Sequence, residues 1–416
     1  MKYLRLALVT FASSLGVAFA QDEERRGPPV EIPDFSNLDE YIYEPKSTVT
    51  FGFRYISGAK TSFGGQGKIA SPEDPGAASG ANVLRSYHNG SVQPDTRVVA
   101  RADSSGNPVV DPESGAPVFD LIAPDGRTNA WTFLDAKQVT PDGYLAFQTY
   151  SAEIVDTGRR QKDSNSSAGM DIAVHRDMGK LWNGRLAWDL TAGMSINDIA
   201  ANTNDSVSAL LRTQTDFYSL FGQRPPDAPY SAPSSSTETA LDASGNPVLN
   251  ADGSVRTITT DTTVLIGNQP AARTITSVLD DTRVSNRWRL KGAYYTFRAG
   301  PTLWFPITTR LRASISAGAA LVYSGSTYSV TQTLEPEFGA EISDTSSDSS
   351  YKLLPGYYVD ASLQFDLTER AGFYAGAVFQ SAGSYSQTIE TATSQYSTKI
   401  DLANQNGVRA GMSIRF

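Results

Sequence analysis

The sequence predicts an all-β fold: a closed antiparallel up-and-down transmembrane β-barrel of about ten strands with long extracellular loops. Three observations predict it. Apolar and polar residues alternate one by one over long runs, which is the period of a strand with one apolar face. Short and long connections alternate along the chain, which in a meander gathers every short turn at one end. The polar faces of the alternating runs carry arginine and aspartate in nearly equal number, as an enclosed ionic interior requires.

Residues 1–20 open with Lys2 and Arg5, pass through the apolar stretch Leu6 to Val17, and close with Ala18-Phe19-Ala20. This is the order of a secretory signal peptide, and the spacing of Ala18 and Ala20 places cleavage after Ala20. The apolar stretch is short for a bilayer span, and Gln21-Asp22-Glu23-Glu24 follows at once. From 21 to 46 the chain is acidic and bears Pro28, Pro29, Pro33 and Pro45, so it is expected to serve as an N-terminal tether.

The barrel is expected to fill 47–416. Its clearest strand sets Leu311, Ala313, Ile315, Ala317, Ala319, Leu321 and Tyr323 against Arg312, Ser314, Ser316 and Gly318. A helix would scatter those apolar residues around its circumference. Leu186 to Ile196 and Tyr357 to Leu367 repeat the pattern, and shorter versions appear at Val49 to Tyr55, Met170 to Val174, Ala293 to Leu303, Phe373 to Phe379 and Val408 to Phe416. These make eight clear strands, and weaker runs at 129–137 and 144–155 bring the expectation to ten. Short turns are expected at 140–143, 177–184, 305–309 and 367–370, where Gly, Pro, Asn and Asp collect. Long polar links are expected at 66–127, 158–166, 200–285, 333–349 and 390–405. The two longest share an echo, Ser105-Gly106-Asn107-Pro108-Val109 and Ser244-Gly245-Asn246-Pro247-Val248, which reads as one turn solution used twice.

Alternation alone also fits a soluble β-sandwich with its apolar face inward. The charges favour the barrel. Arg54, Asp171, Asp189, Arg298, Arg312, Asp360, Asp366, Arg409 and Arg415 all lie opposite the apolar residues of their strands. In a closed barrel they meet in the lumen, where they are expected to pair almost one for one. Trp304, Tyr323, Tyr357 and Phe416 fall at strand ends, where interfacial aromatic girdles belong.

Taken with the leader, the chain resembles a small Gram-negative outer-membrane β-barrel protein, OmpA-like in general architecture. Its last strand, with Val408, Ala410, Met412, Ile414 and the terminal Phe416, resembles the C-terminal signal read by the family's assembly machinery. The resemblance implies insertion in the outer membrane with both termini periplasmic. Outer-membrane lipid, the barrel assembly machinery and an unidentified extracellular ligand would then be the partners.

Composition narrows the chemistry. There is no cysteine, so disulfides and cysteine-ligated metals are excluded, and the formal charge of -9 opposes nucleic-acid binding. No spacing suggests a metal or cofactor site. An omptin-like protease would need paired aspartates and an Asp-His pair near the extracellular mouth, yet the only histidines are His88, in the first long link, and His175, on a polar strand face close to a periplasmic turn. Glycines within strands, Gly52, Gly193, Gly300, Gly376 and Gly411, are expected to leave room for lumen side chains or bends. A barrel this small is about filled by its own side chains. The expected role is therefore a structural anchor and surface-interaction platform, with a narrow diffusion channel or small-solute transporter as the alternative and an omptin-like surface enzyme behind both.

Overall fold

The computed structural model describes residues 46–163, 166–182 and 186–416. The expected signal peptide, with Ala18 and Ala20, and nearly all of the tether lie outside them. Eight antiparallel strands pair in chain order: β1 (Ser47–Ser57), β2 (Ser167–Leu181), β3 (Leu186–Ser206), β4 (Val284–Pro306), β5 (Leu311–Leu334), β6 (Ile342–Asp366), β7 (Ala371–Ser381) and β8 (Gln405–Arg415). β8 pairs with β7 on one side and with β1 on the other, running from Thr48↔Arg415 to Ser57↔Asn406. The sheet closes, and no strand edge is left open along that seam.

These eight are the eight clearly alternating runs of the sequence. The two weaker runs also form strands, but outside the closed sheet: Trp131–Phe133 pairs with Gly90–Val92, while Tyr144–Ile154 pairs with Ala209–Ser219 and with Lys68–Ile69. The barrel thus has eight strands rather than about ten. Alternation marks a half-buried strand but does not say which sheet it joins.

The connections need a similar correction. The hairpin from β2 to β3 and the turns at 307–310 and 367–370 share one end with the termini, where Ser47 and Phe416 exchange backbone hydrogen bonds of 3.1 and 2.9 Å. The turn at 140–143 lies at the other end, leading into Tyr144–Ile154. Each expected long link contains strand. β3 runs to Ser206 and is followed by Ala209–Ser219, β5 runs to Leu334, and β6 begins at Ile342, leaving only 335–341 between them. The Ser- and Thr-rich start of β6 is polar on both faces, so no alternation announces it. The repeated Gly-Asn-Pro segments do adopt one solution. Asp103 Oδ1 accepts from the Ser105 and Asn107 amides, Asp242 Oδ1 accepts from those of Ser244 and Asn246, and Gly106 and Gly245 take φ of 83° and 82°.

β4, β5 and β6 are 23, 24 and 25 residues long, more than twice what a bilayer core demands of a tilted strand. Along them the alternation reverses phase. In the lower part of β4, Tyr295, Phe297 and Leu303 point outward while Thr296, Arg298 and Thr302 are buried inside. Above Tyr294 the inward side chains are Leu290 and Trp288, and the outward ones are Lys291, Arg289 and Arg287. β5 inverts beside it, with Ile315, Leu321 and Tyr323 outward below, and Tyr328, Val330 and Leu334 inward above. β3 inverts too, from inward Thr191, Ser195 and Asn197 to inward Ile199 and Ala201. The three inversions meet at one rung, Ile196↔Tyr295↔Tyr323. Below it hydrocarbon suits the outside of the sheet, and above it water does.

The interior is layered accordingly. An ionic, hydrogen-bonded lower section gives way to an upper apolar core around Phe63, Tyr150, Trp288, Leu290, Tyr328 and Tyr396. A second core, built from Trp131, Phe133, Leu145, Phe147, Tyr218 and Ile266, holds the segments beyond.

Candidate functional site

The expected lumen residues converge in two groups. In the upper group, Arg298 reaches from β4 to Asp171 on β2 with two parallel bonds of 2.6 and 2.7 Å, the planar fork that guanidinium and carboxylate form best. Arg409 on β8 meets Asp360 on β6 at 2.6 Å and lies 3.9 Å from Asp171. Tyr358 and Tyr374 present their ring faces to Arg298 and Arg409. Arg54 joins this group without a carboxylate: its Nη1 donates to Ser195 Oγ at 2.7 Å and its Nη2 to Gln380 Oε1 at 2.6 Å. Gly193 makes the crowding possible, since a Cβ there would stand 3.2 Å from Arg298 Nε and 2.9 Å from Ala173 Cβ.

The lower group sits nearer the turns. Asp366 takes two arginines, Arg415 at 2.7 Å and Arg312 at 3.3 Å. Asp189 instead accepts from the Trp304 indole at 2.7 Å, and Arg312 lies 4.3 Å over that indole ring. All nine expected residues therefore face the interior, but the pairing is not one for one. Arg54 and Asp189 take neutral partners because register, not composition, decides what each side chain can reach. Trp304 also departs from expectation. It is buried in the lumen rather than standing in a girdle, whereas Tyr323, Tyr357 and Phe416 are exposed on the outside.

Among the described residues neither histidine hydrogen-bonds or ion-pairs with these carboxylates. His175 is buried low in the lumen, its Nδ1 2.9 Å from Thr191 Oγ1 and its ring beside Trp304. His88 lies beyond the apolar core, edge-on to Tyr150. Burial lowers its pKa below the ordinary histidine value, an effect that Glu73 partly opposes. Among the described residues, no group of three or more histidine, aspartate or glutamate side chains is arranged to hold a metal.

The region past the barrel contributes a polar cluster that the sequence did not announce. Asp216 is fully buried, accepting from Arg273 Nε and Nη2 at 2.6 and 2.7 Å and from the Tyr87 hydroxyl at 2.6 Å. Burial foremost, then Tyr218 and the bond to Asp216, push the Tyr87 hydroxyl far above the tyrosine range, and burial pushes Tyr218 up to about 12. Both phenols stay protonated and bind this layer together as donors. Beside it opens a groove of about 600 Å³ lined by Lys68, Glu73, Glu153, Arg212, Thr149 and Ser151. The only sequence signal for this layer is the aromatic spacing of Trp131, Phe133, Phe147 and Tyr150.

An apolar exterior around a hydrogen-bonded interior defines a membrane-spanning β-barrel, and barrels of this build occupy the outer membrane of Gram-negative bacteria. No family model matches the sequence. No curated protein matches it either. Similar solved structures include the outer membrane protease OmpT from Escherichia coli, at 10% identity over 89% of this chain and 96% of that one, with a TM-score of 0.26. A Pseudomonas aeruginosa FadL homologue follows at 9% identity, covering 89% and 90%, with a TM-score of 0.17. OmpT, an outer membrane protein of Vibrio cholerae, gives 8%, 90%, 99% and 0.11. Superpositions this loose define no shared subfamily, and the assignment to a class rests on the geometry of this chain.

Proposed function

We propose that this chain is an outer-membrane anchor whose plugged barrel holds a rigid β-rich platform above the cell surface for contact with an extracellular ligand. The observation that carries this reading is the layered interior. Arg54, Asp171, Arg298 and Asp360 are each no more than 4% exposed, and the apolar core lies directly above them. A solute entering from outside would first have to part that core and then break paired charges, and eight-stranded barrels have little interior space to spare. Strands that continue unbroken out of the membrane make the platform stiff, and its groove offers both charge signs to a partner. The outward face of β8, with Val408, Ala410, Met412 and Ile414, together with Phe416 just beyond it, is the surface we assign to the barrel assembly machinery and then to lipid. Planar-bilayer recording tests the plug. Purified protein is expected to give a flat baseline, and reproducible unitary steps would establish the narrow-channel alternative.

A further inference from the structure

We propose that the outer wall of the barrel, directly above the inversion rung, binds the phosphorylated sugar headgroup of an outer-leaflet lipid. The inference rests on the membrane orientation argued above. Arg287, Arg289 and Lys291 project outward from β4 at every second position, each exposed, in a vertical column. Successive members stand about 7 Å apart along the strand. Among the described residues none of the three has a carboxylate partner. Exposed arginines elsewhere on this protein are of both kinds, Arg101 paired with Asp120 and Arg212 and Arg256 without a carboxylate, so the column is set apart by three successive outward cations on one strand.

The flanking strands supply matching chemistry. On the outward face the rungs read Asn204↔Arg287↔Thr331↔Thr345 and Asn202↔Arg289↔Ser329↔Ser347. The third, Ala200↔Lys291↔Thr327↔Ser349, is the lowest. Each cation thus stands beside hydroxyls, and the upper two beside a carboxamide as well. This is a flat field of neutral donors and acceptors with a positive spine, suited to phosphate on the spine and sugar hydroxyls at its sides. The nearest acid on that face is Asp198, one rung below Lys291 and across on β3, where it accepts from Ser167 Oγ.

Position selects a lipid as the source of the phosphate. Immediately beneath the column, Tyr295, Tyr323 and Tyr351 form an outward aromatic ladder with ring centroids 6.5 and 6.2 Å apart. Tyrosines of this kind sit at the headgroup boundary. A lipid whose acyl chains lie against Phe297 and Leu321 would bring its headgroup to Lys291 and Arg289 without leaving the bilayer.

The test uses the full-length protein with phosphatidylcholine vesicles carrying either phosphorylated lipid A or its dephosphorylated form. The native protein is expected to prefer the phosphorylated vesicles. Arg287→Gln/Arg289→Gln/Lys291→Gln is expected to lose about tenfold of that preference. The single variant Arg289→Glu should weaken binding in the same direction. Heat-modifiable gel migration of every sample reports whether the barrel has formed. Folded variants that keep the native preference would overturn the proposal, as would free inorganic phosphate abolishing it at stoichiometric concentration. Native protein that leaves the vesicles without detergent would instead overturn the membrane reading beneath it.

Discussion

Arg298 and Arg312 show how one residue type acquires two different weights. Arg298 is enclosed and forms both bonds to a carboxylate that is itself enclosed. Arg298→Ala strands Asp171 in the interior, and we expect a loss of about 3–5 kcal/mol, the usual cost of breaking a buried pair from one side. Arg312 has a quarter of its side chain exposed and shares Asp366 with Arg415, so Arg312→Ala should cost well under half as much. Denaturant midpoints of the two variants decide this, and equal losses would contradict the paired geometry. The inward direction of all nine charges is legible in the sequence, because alternation assigns faces. The partners are not, since they depend on the stagger of strands up to 326 positions apart, as between Arg54 on β1 and Gln380 on β7. His88 carries a pH signature of its own. Its folded pKa is lowered, so the unfolded state binds the proton first. Stability of the outer layer is then complete above the ordinary histidine pKa and falls as pH drops through that value toward the folded one. Amide exchange in Tyr144–Ile154 should quicken over that interval, and His88→Gln should remove the change. An unaltered profile in the variant would assign it to another group.

At the level of the strand, β4 and β5 each carry two amphipathic halves of opposite phase. The sequence contains this reversal plainly: Tyr295, Phe297 and Leu303 are apolar at odd positions, while Trp288 and Leu290 are apolar at even ones. A search for uninterrupted alternation stops at the reversal, so 286–292 and 324–332 are assigned to no strand and the end of β3 falls within the presumed link 200–285. The serine and threonine of upper β6 lack any apolar face and would defeat such a search even with the reversal in view. Substitutions on one face of β5 separate the halves. Ile315→Arg, on the lipid-facing stretch between Leu311 and Tyr323, should destabilise the barrel by about 2–4 kcal/mol, whereas Thr327→Arg, on the same face above the tyrosine ladder, should leave it nearly unchanged. Refolding equilibria in lipid vesicles provide the comparison, and a comparable penalty at both positions would remove the boundary drawn at the Tyr295 rung.

For the whole molecule, closure and layering act together. Eight strands close the sheet, and the interior of its lower section is occupied by ion pairs and hydrogen bonds. Above, the same walls enclose apolar side chains, and that core joins the outer layer of short strands to the barrel. The architecture therefore joins a membrane protein and a water-soluble one along continuous strands. The small barrel was legible from the eight alternating runs. The outer layer was not, because its core comes from short strands such as Arg85–Tyr87, Gly90–Val92 and Trp131–Phe133, each only three residues long and held by neighbours far away in sequence.

The orientation of the walls is open to direct measurement, since the chain has no cysteine and any introduced one is unique. Nitroxide labels attached to Phe297→Cys, Arg289→Cys and Thr296→Cys in vesicle-inserted protein would be challenged with oxygen, which concentrates in hydrocarbon, and with a water-soluble paramagnetic complex. The label at 297 should respond to oxygen, the label at 289 to the aqueous reagent, and the label at 296 to neither. Strong aqueous access at 296, or oxygen access at 289 equal to that at 297, would contradict a plugged barrel that leaves the membrane at the Tyr295 rung.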